Sequence, residues 1–168
     1  MPLNRAKFSP DRRFRYWLVF PDHEILANGK TLAVIGLNPS KADEHQDDPT
    51  ITRCKRWASQ LGFARLLMLN VYAWCATDSR DLWAAHYRGI DIAGGPENYP
   101  ASLLAYCREF QVSRIIAAWG RDRIKQAHKL QVDPRFRFDC FRQNKDGSPH
   151  HPLYLSYSLK PQPWNYTN

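Results

Sequence analysis

The sequence has no C-x-x-C pair, no internal repeat, no low-complexity segment and no apolar run approaching the roughly 18 residues of a membrane-spanning helix. Each absence removes a class. Cys54, Cys75, Cys107 and Cys140 lie far apart along the chain, so neither a zinc ribbon nor a thioredoxin-like redox motif is available. No membrane partner is expected. The stretch from Met1 to Arg15 carries charges but no apolar h-region, so a secretory signal is not expected either. A cytoplasmic location with four reduced, buried cysteines follows as the expectation. Negative charge is scarce: 16 Asp+Glu stand against 24 Lys+Arg, a formal charge of +8. That excess suits a polyanionic partner, nucleic acid first. What is present is globular, with 43% hydrophobic and 24% charged residues among 168. The length suits one domain spanning 1–168, expected to be monomeric, with a core that needs no metal or disulfide staple.

The apolar pattern alternates between strand and helix. Arg15 to Phe20 reads as a strand closed by Pro21-Asp22, and Thr31 to Leu37 as a near-continuous apolar run ending in Asn38-Pro39-Ser40. Continuous apolarity suits a central strand buried on both faces. Asp48-Pro49 has the form of an N-cap followed by proline at the first helical position, and Ile51, Cys54, Ala58 and Leu61 then recur at helical spacing until Gly62. Ala64 to Val71 predicts a second buried strand, and Ser79 a cap for a short helix through Tyr87. Asn98 to Phe110 predicts a helix and Val112 to Ala118 a third strand. Arg121 to Gln131 predicts a further helix, Phe136 to Phe141 a short fourth strand, and the tail is proline-rich. This alternation argues for an α/β fold of three α/β/α layers, with a central, mostly parallel, four-stranded sheet and an N-terminal strand or arm. Right-handed crossovers place the carboxyl ends of the parallel strands along one edge, where open α/β sheets bind ligands.

The unusual polar residues fall on that edge. Asn38 ends the first core strand, Asn70 the second and Gly120 the third, while His151 follows the fourth. An asparagine among Leu-Met-Leu and Val-Tyr is costly unless it is hydrogen-bonded, so Asn70 holds either a neighbouring loop or a ligand. Asn38-Pro39 reads equally as turn chemistry, and His151-Pro152 as an ordinary loop.

Several of these segments are together similar to the signature of a bacterial and phage family, domain-of-unknown-function family 1643. They are Arg15-Tyr16-Trp17-Leu18, Gly36-Leu37-Asn38-Pro39-Ser40, Asp47-Asp48-Pro49-Thr50, Ala118-Trp119-Gly120, Gly147-Ser148-Pro149 and His151-Pro152-Leu153-Tyr154-Leu155. A more distant resemblance is to the uracil-DNA glycosylase superfamily. Gly36 to Ser40 resembles its first motif, in the Asn form of mismatch-specific members, and Leu66-Leu67-Met68-Leu69-Asn70 resembles the strand whose Asn reads the flipped base. Trp119-Gly120 resembles its third strand end, and His151 to Leu155 its second motif.

That resemblance implies a uracil-DNA glycosylase-like fold and the hydrolysis of an N-glycosidic bond in DNA, the base being modified or mismatched and turned out of the stack. It implies that Asn38 orients the attacking water and that His151 hydrogen-bonds the developing charge on the base. Asn70 would read the base edge within a pocket formed by Gly36, Pro39, Ser40 and Gly120. Leu153 and Tyr154 would act as the wedge that fills the vacated stack. Ser148, amides near Gly147 and the helix start after Gly120, with Arg121 and Arg123, would hold phosphates. The cysteine spacing does not match the iron–sulfur branch, so no cofactor and no metal are expected. The loop Lys41–Thr50, with Asp43, Glu44, His45, Asp47 and Asp48, sets an acidic lip beside that edge. Asp48 reads as a helix cap, with loop contacts from Asp43, Asp47 and Asp48 to a metal-bridged phosphate, a ribose or a modified base as the other reading. DNA is expected over RNA as partner. The alternatives are a non-catalytic nucleic-acid or nucleotide-binding module on the same fold, or an enzyme of free nucleosides and nucleotides.

Overall fold

The computed structural model describes residues 5–21, 29–40, 42, 43 and 45–165. Of the features expected above, residues 1–4 of the N-terminal arm, Asp22 after the first strand, and Lys41 and Glu44 of the acidic loop lie outside the described residues. In chain order the elements are β1 (Ala6–Phe8), β2 (Arg15–Pro21), β3 (Thr31–Gly36), α1 (Pro49–Gln60), β4 (Arg65–Asn70) and α2 (Ser79–Tyr87). A 3₁₀ turn (Gly95–Asn98) follows, then α3 (Pro100–Glu109), β5 (Val112–Ala117), α4 (His128–Gln131), β6 (Asp139–Cys140) and β7 (Gln162–Pro163).

The strands form one sheet in the order β1-β2-β4-β3-β5-β6-β7. β4, β3, β5 and β6 are parallel, whereas β1, β2 and β7 pair antiparallel at the two edges. The chain is therefore α/β with a mixed seven-stranded sheet, wider than the four strands and N-terminal strand expected. The strand expected from Arg15 is β2, with Leu18 and Val19 buried opposite Met68 and Leu67 of β4. The two additions lie at the edges, β1 on β2 and β7, from the proline-rich tail, on β6.

Strand periodicity divides the core into two layers. Leu32 and Val34 of β3 and Leu66 and Met68 of β4 face α1, meeting Ile51, Cys54 and Trp57. Ala33, Ile35, Leu67 and Leu69 face the other way, against Leu82 and Trp83 of α2 and Leu103 and Leu104 of α3. Helices thus cover both faces of the parallel strands. From central β3 the chain crosses through α1 to β4, then through α2 and α3 back past β3 to β5. This reversal opens a crevice at the carboxyl ends of β3 and β5, the usual ligand position in such sheets.

Local chemistry sets the element ends. Asp48 caps α1 by accepting the Ile51 amide at 2.8 Å, with Pro49 in the first turn. Gly62, at φ +77°, stops that helix in a conformation few other residues adopt. Asp78, not Ser79, caps α2 by accepting the Arg80 amide. The helix expected from Asn98 begins at Pro100, because proline holds Tyr99 extended. The helix expected from Arg121 to Gln131 is reduced to α4. Asp122 accepts the amides of Ile124 and Ala127 and the Tyr72 hydroxyl, folding residues 121–127 into turns. The fourth strand shrinks to Asp139–Cys140. Its expected start stacks Phe136 on Phe138 at 5.4 Å instead of joining the ladder. All four cysteines are free; Cys54, Cys107 and Cys140 are buried and Cys75 is half-buried.

Candidate functional site

A cavity of about 610 Å³ occupies the crevice at the carboxyl edge. This lies within the range of small-ligand sites, about 300–1,000 Å³. Its floor comes from strand residues on the α1 face: Val34 and Gly36 of β3, Met68 and Asn70 of β4, and Ala118 after β5. Asn38, Ser40, Asp48 and the first turn of α1 form one wall, and Gly120, Arg121, His151, Pro152 and Leu153 the other.

Asn70 sits at the end of β4, 3% exposed, opposite Gly36 in the β3–β4 register. Its Nδ2 is buried without a hydrogen-bond partner. Such a group costs about 1–3 kcal/mol if it stays unpaired. A Cβ on Gly36 would lie 3.0 Å from Asn70 Oδ1, so glycine makes room for the amide. From below, Asn98 Nδ2 donates to the carbonyls of Asn70 and Val71 at 3.2 and 3.1 Å and fixes the strand end.

The amide of Asn38 has a defined orientation. Nδ2 donates to Pro39 O at 3.0 Å and Ala76 O at 2.9 Å, using both hydrogens. Oδ1 is therefore the polar atom left to accept a hydrogen bond in the cavity.

His151 is exposed at the mouth. Its Nδ1 accepts the Leu153 amide at 3.1 Å, which defines the neutral tautomer and leaves Nε2–H as a donor. Desolvation by the wall and the neighbouring His150 lower its pKa from 6.5, against an opposing pull from Asp48. The loop is held by Arg53 of α1, which donates to Pro152 O at 3.1 Å and to Leu155 O, with its guanidinium 4.4 Å from the Tyr157 ring centre. Gly120, at φ +66°, turns the chain away from β5 where a side chain would meet His151 Cβ.

Asn38, Asn70 and His151 thus line one cavity, together with Gly36, Ser40, Asp48, Gly120 and Leu153. Other expected site residues lie apart from it. Pro39 lends its carbonyl to Asn38 and to the Ala76 amide. Ser148 closes a turn, its hydroxyl donating to Asp146 and accepting from Asn144. Tyr154 is 90% exposed outside the lining. The helix start expected to hold phosphates after Gly120 is absent, because Asp122 takes those amides.

Each described carboxylate of the acidic lip has a local hydrogen-bond or ion-pair partner. Asp43 accepts the His45 and Gln46 amides, Asp47 pairs with Lys55 at 2.6 Å, and Asp48 accepts from Ile51 and the Ser40 hydroxyl. Among the described residues no group of three His, Cys, Asp or Glu is arranged to hold a metal ion. Of the basic residues expected at the rim, Arg121 lines the cavity but pairs with Asp146 at 3.0 Å, and Arg123 lies 5.6 Å from the Trp83 ring centre.

Sequence reasoning missed Arg15, Arg53 and Asn98. Arg15 begins β2, and because β2 is antiparallel to β4 its first residue lies at the carboxyl edge of the parallel strands. There it lines the cavity while 2% exposed. A charge heading an otherwise apolar strand was the available signal. Arg53 and Asn98 carried none, since their partners are 99 or more and 27–28 positions away.

The model of the family described as Protein of unknown function (DUF1643) matches residues 15–153. The chain belongs to that family. Within the DUF1643 match lie all the residues lining the cavity, with Arg15 at its first position and Leu153 at its last. No curated protein and no solved structure matches the chain.

Proposed function

We propose that this protein is a glycosylase-like hydrolase that cleaves the N-glycosidic bond of a base turned out of the DNA stack, on a uracil-DNA glycosylase-like variant of the α/β fold. One observation carries the reading: the Asn38 Oδ1, the buried Asn70 amide and His151 belong to a single cavity at the carboxyl edge. In the mechanism the base enters between Met68, Ile51 and Pro152 and offers its edge to Asn70, supplying the partner that Nδ2 lacks. Asn38 Oδ1 accepts a hydrogen bond from a water and aims its oxygen at the sugar carbon. As the bond from that carbon to the base breaks and the new C–O bond forms, the water's proton passes to solvent, from which the departing base anion is protonated. As an amide Asn38 takes no proton, so the reaction is slower than with a carboxylate at that position. The departing base gathers negative charge, which His151 stabilises through Nε2–H while neutral. Leu153 fills the vacated stack. The +8 charge favours the DNA partner over an uncharged one.

The test uses duplexes carrying uracil, mismatched thymine, hypoxanthine or hydroxymethylated pyrimidines. The wild type should generate abasic sites at one or more of these bases, and Asn38→Ala and His151→Ala should each abolish them. Folded wild-type protein that yields no abasic site across the panel refutes the reading.

A further inference from the structure

Base recognition leaves Arg15 unexplained. Its guanidinium carries five N–H donors. The described residues use it for one hydrogen bond, to the Ala42 carbonyl at 2.5 Å, while Nε is buried without a partner. No carboxylate among the described residues forms an ion pair with it, and an arginine this buried is seldom left so. Three groups could act on it by charge: the Cys75 thiol, which burial pushes up, and Asp48 and Asp43, whose oxygens accept from the Ile51, His45 and Gln46 amides and the Ser40 hydroxyl.

The backbone also directs this side chain to the cavity. The β1–β2 register places Lys7 opposite Trp17 but Phe8 opposite Arg15, so Tyr16 is an extra residue in β2. Tyr16 and Trp17 both pack on the α2 and α3 layer, and the shift sends Arg15 to the α1 side, where the cavity lies. Bulges often re-aim a side chain next to a functional site. The first turn of α1, including Thr50, lines the same cavity. The Thr50 amide has no acceptor within the helix, and a helix N-terminus favours an anion.

We propose that Arg15 seats a phosphate of the bound nucleotide against the first turn of α1. The identity of the ligand as a nucleotide rests on the base-recognition reading above; the demand for an anion comes from Arg15. A guanidinium fork matches two phosphate oxygens in a way an ammonium does not. The phosphate belongs either to a free nucleoside monophosphate or to a DNA strand.

The test measures calorimetric binding to the full chain of the four deoxynucleoside 5′-monophosphates, the matching deoxynucleosides, and a mixed-sequence single strand without terminal phosphates. A monophosphate should bind about tenfold more tightly than its nucleoside, as expected for a hydrogen bond from a charged donor. The preference should be lost in Arg15→Met and largely lost in Arg15→Lys. Should neither variant fold, inorganic phosphate should displace the monophosphate from wild type and leave nucleoside binding unchanged. If only the strand binds, Arg15→Met should make its log-affinity against log-salt slope shallower by about 0.7, one phosphate contact. The proposal is overturned by equal binding of nucleoside and monophosphate, by a preference that survives both substitutions, by an unchanged salt slope, or by no binding of any probe. Phosphate-dependent binding without abasic products supports this site and removes only the glycosylase reading.

Discussion

Arg53→Met should open the loop that carries His151 while leaving the rest of the fold intact. Methionine keeps an unbranched chain against Trp57 and Tyr157 but removes the donors to Pro152 O and Leu155 O. A hydrogen bond from a charged donor contributes about 1.5–3 kcal/mol when buried. Arg53 is half-buried and both carbonyls regain water, so the pair together is worth about 2 kcal/mol, or about 30-fold in loop opening. Native-state hydrogen exchange reads this directly. The Leu153 amide donates to His151 Nδ1 and the Leu155 amide to Pro152 O, so both report closure of the loop. They should exchange about 30-fold faster in the variant, whereas Leu69, buried in β4, should follow global stability alone. A folded variant in which Leu153 and Leu155 keep wild-type protection refutes the assignment of Arg53 as the clamp.

Two further outcomes follow from the same cavity. In an NMR titration His151 should show an unprotonated Nδ1 and a midpoint below 6.5. The unfolded chain then binds more protons between the lowered value and about 6.5, so the stability contributed by this group rises with pH across that interval and is lost as pH falls through it. A midpoint at or above 6.5 contradicts the desolvation argument. Gly36→Ala should cost about 1 kcal/mol in urea unfolding, since its Cβ would lie 3.0 Å from Asn70 Oδ1 and the amide must shift. An unmoved Asn70 side-chain amide resonance would show that the glycine makes no room for it.

The elements most legible in the sequence were those specified by neighbours in the chain. The Asp48-Pro49 start of α1, the apolar runs of β3 and β4, the place of Asn70 at the end of β4, and those of Asn38 and Gly120 in the turns just beyond β3 and β5 each depend on a few adjacent residues. The helix after Gly120 failed because its apolar spacing carried no warning that Asp122 would reach the Tyr72 hydroxyl, 50 positions away. Trp57 escaped the expected helical stripe although it is among the largest buried side chains, stacked 4.1 Å from Phe141 across the chain.

By itself, the sequence determined the alternation of strands and helices, the capping of α1 and the set of polar residues at strand ends, because propensity, turn chemistry and periodicity act over a few positions. Tertiary structure alone decided that β2 runs antiparallel beside β4, that an extra residue at Tyr16 turns Arg15 toward the cavity, and that Arg53 and Asn98 brace the groups around it. Those outcomes depend on which backbone and side-chain groups are left without water and without a partner, and that is settled only when distant segments pack together.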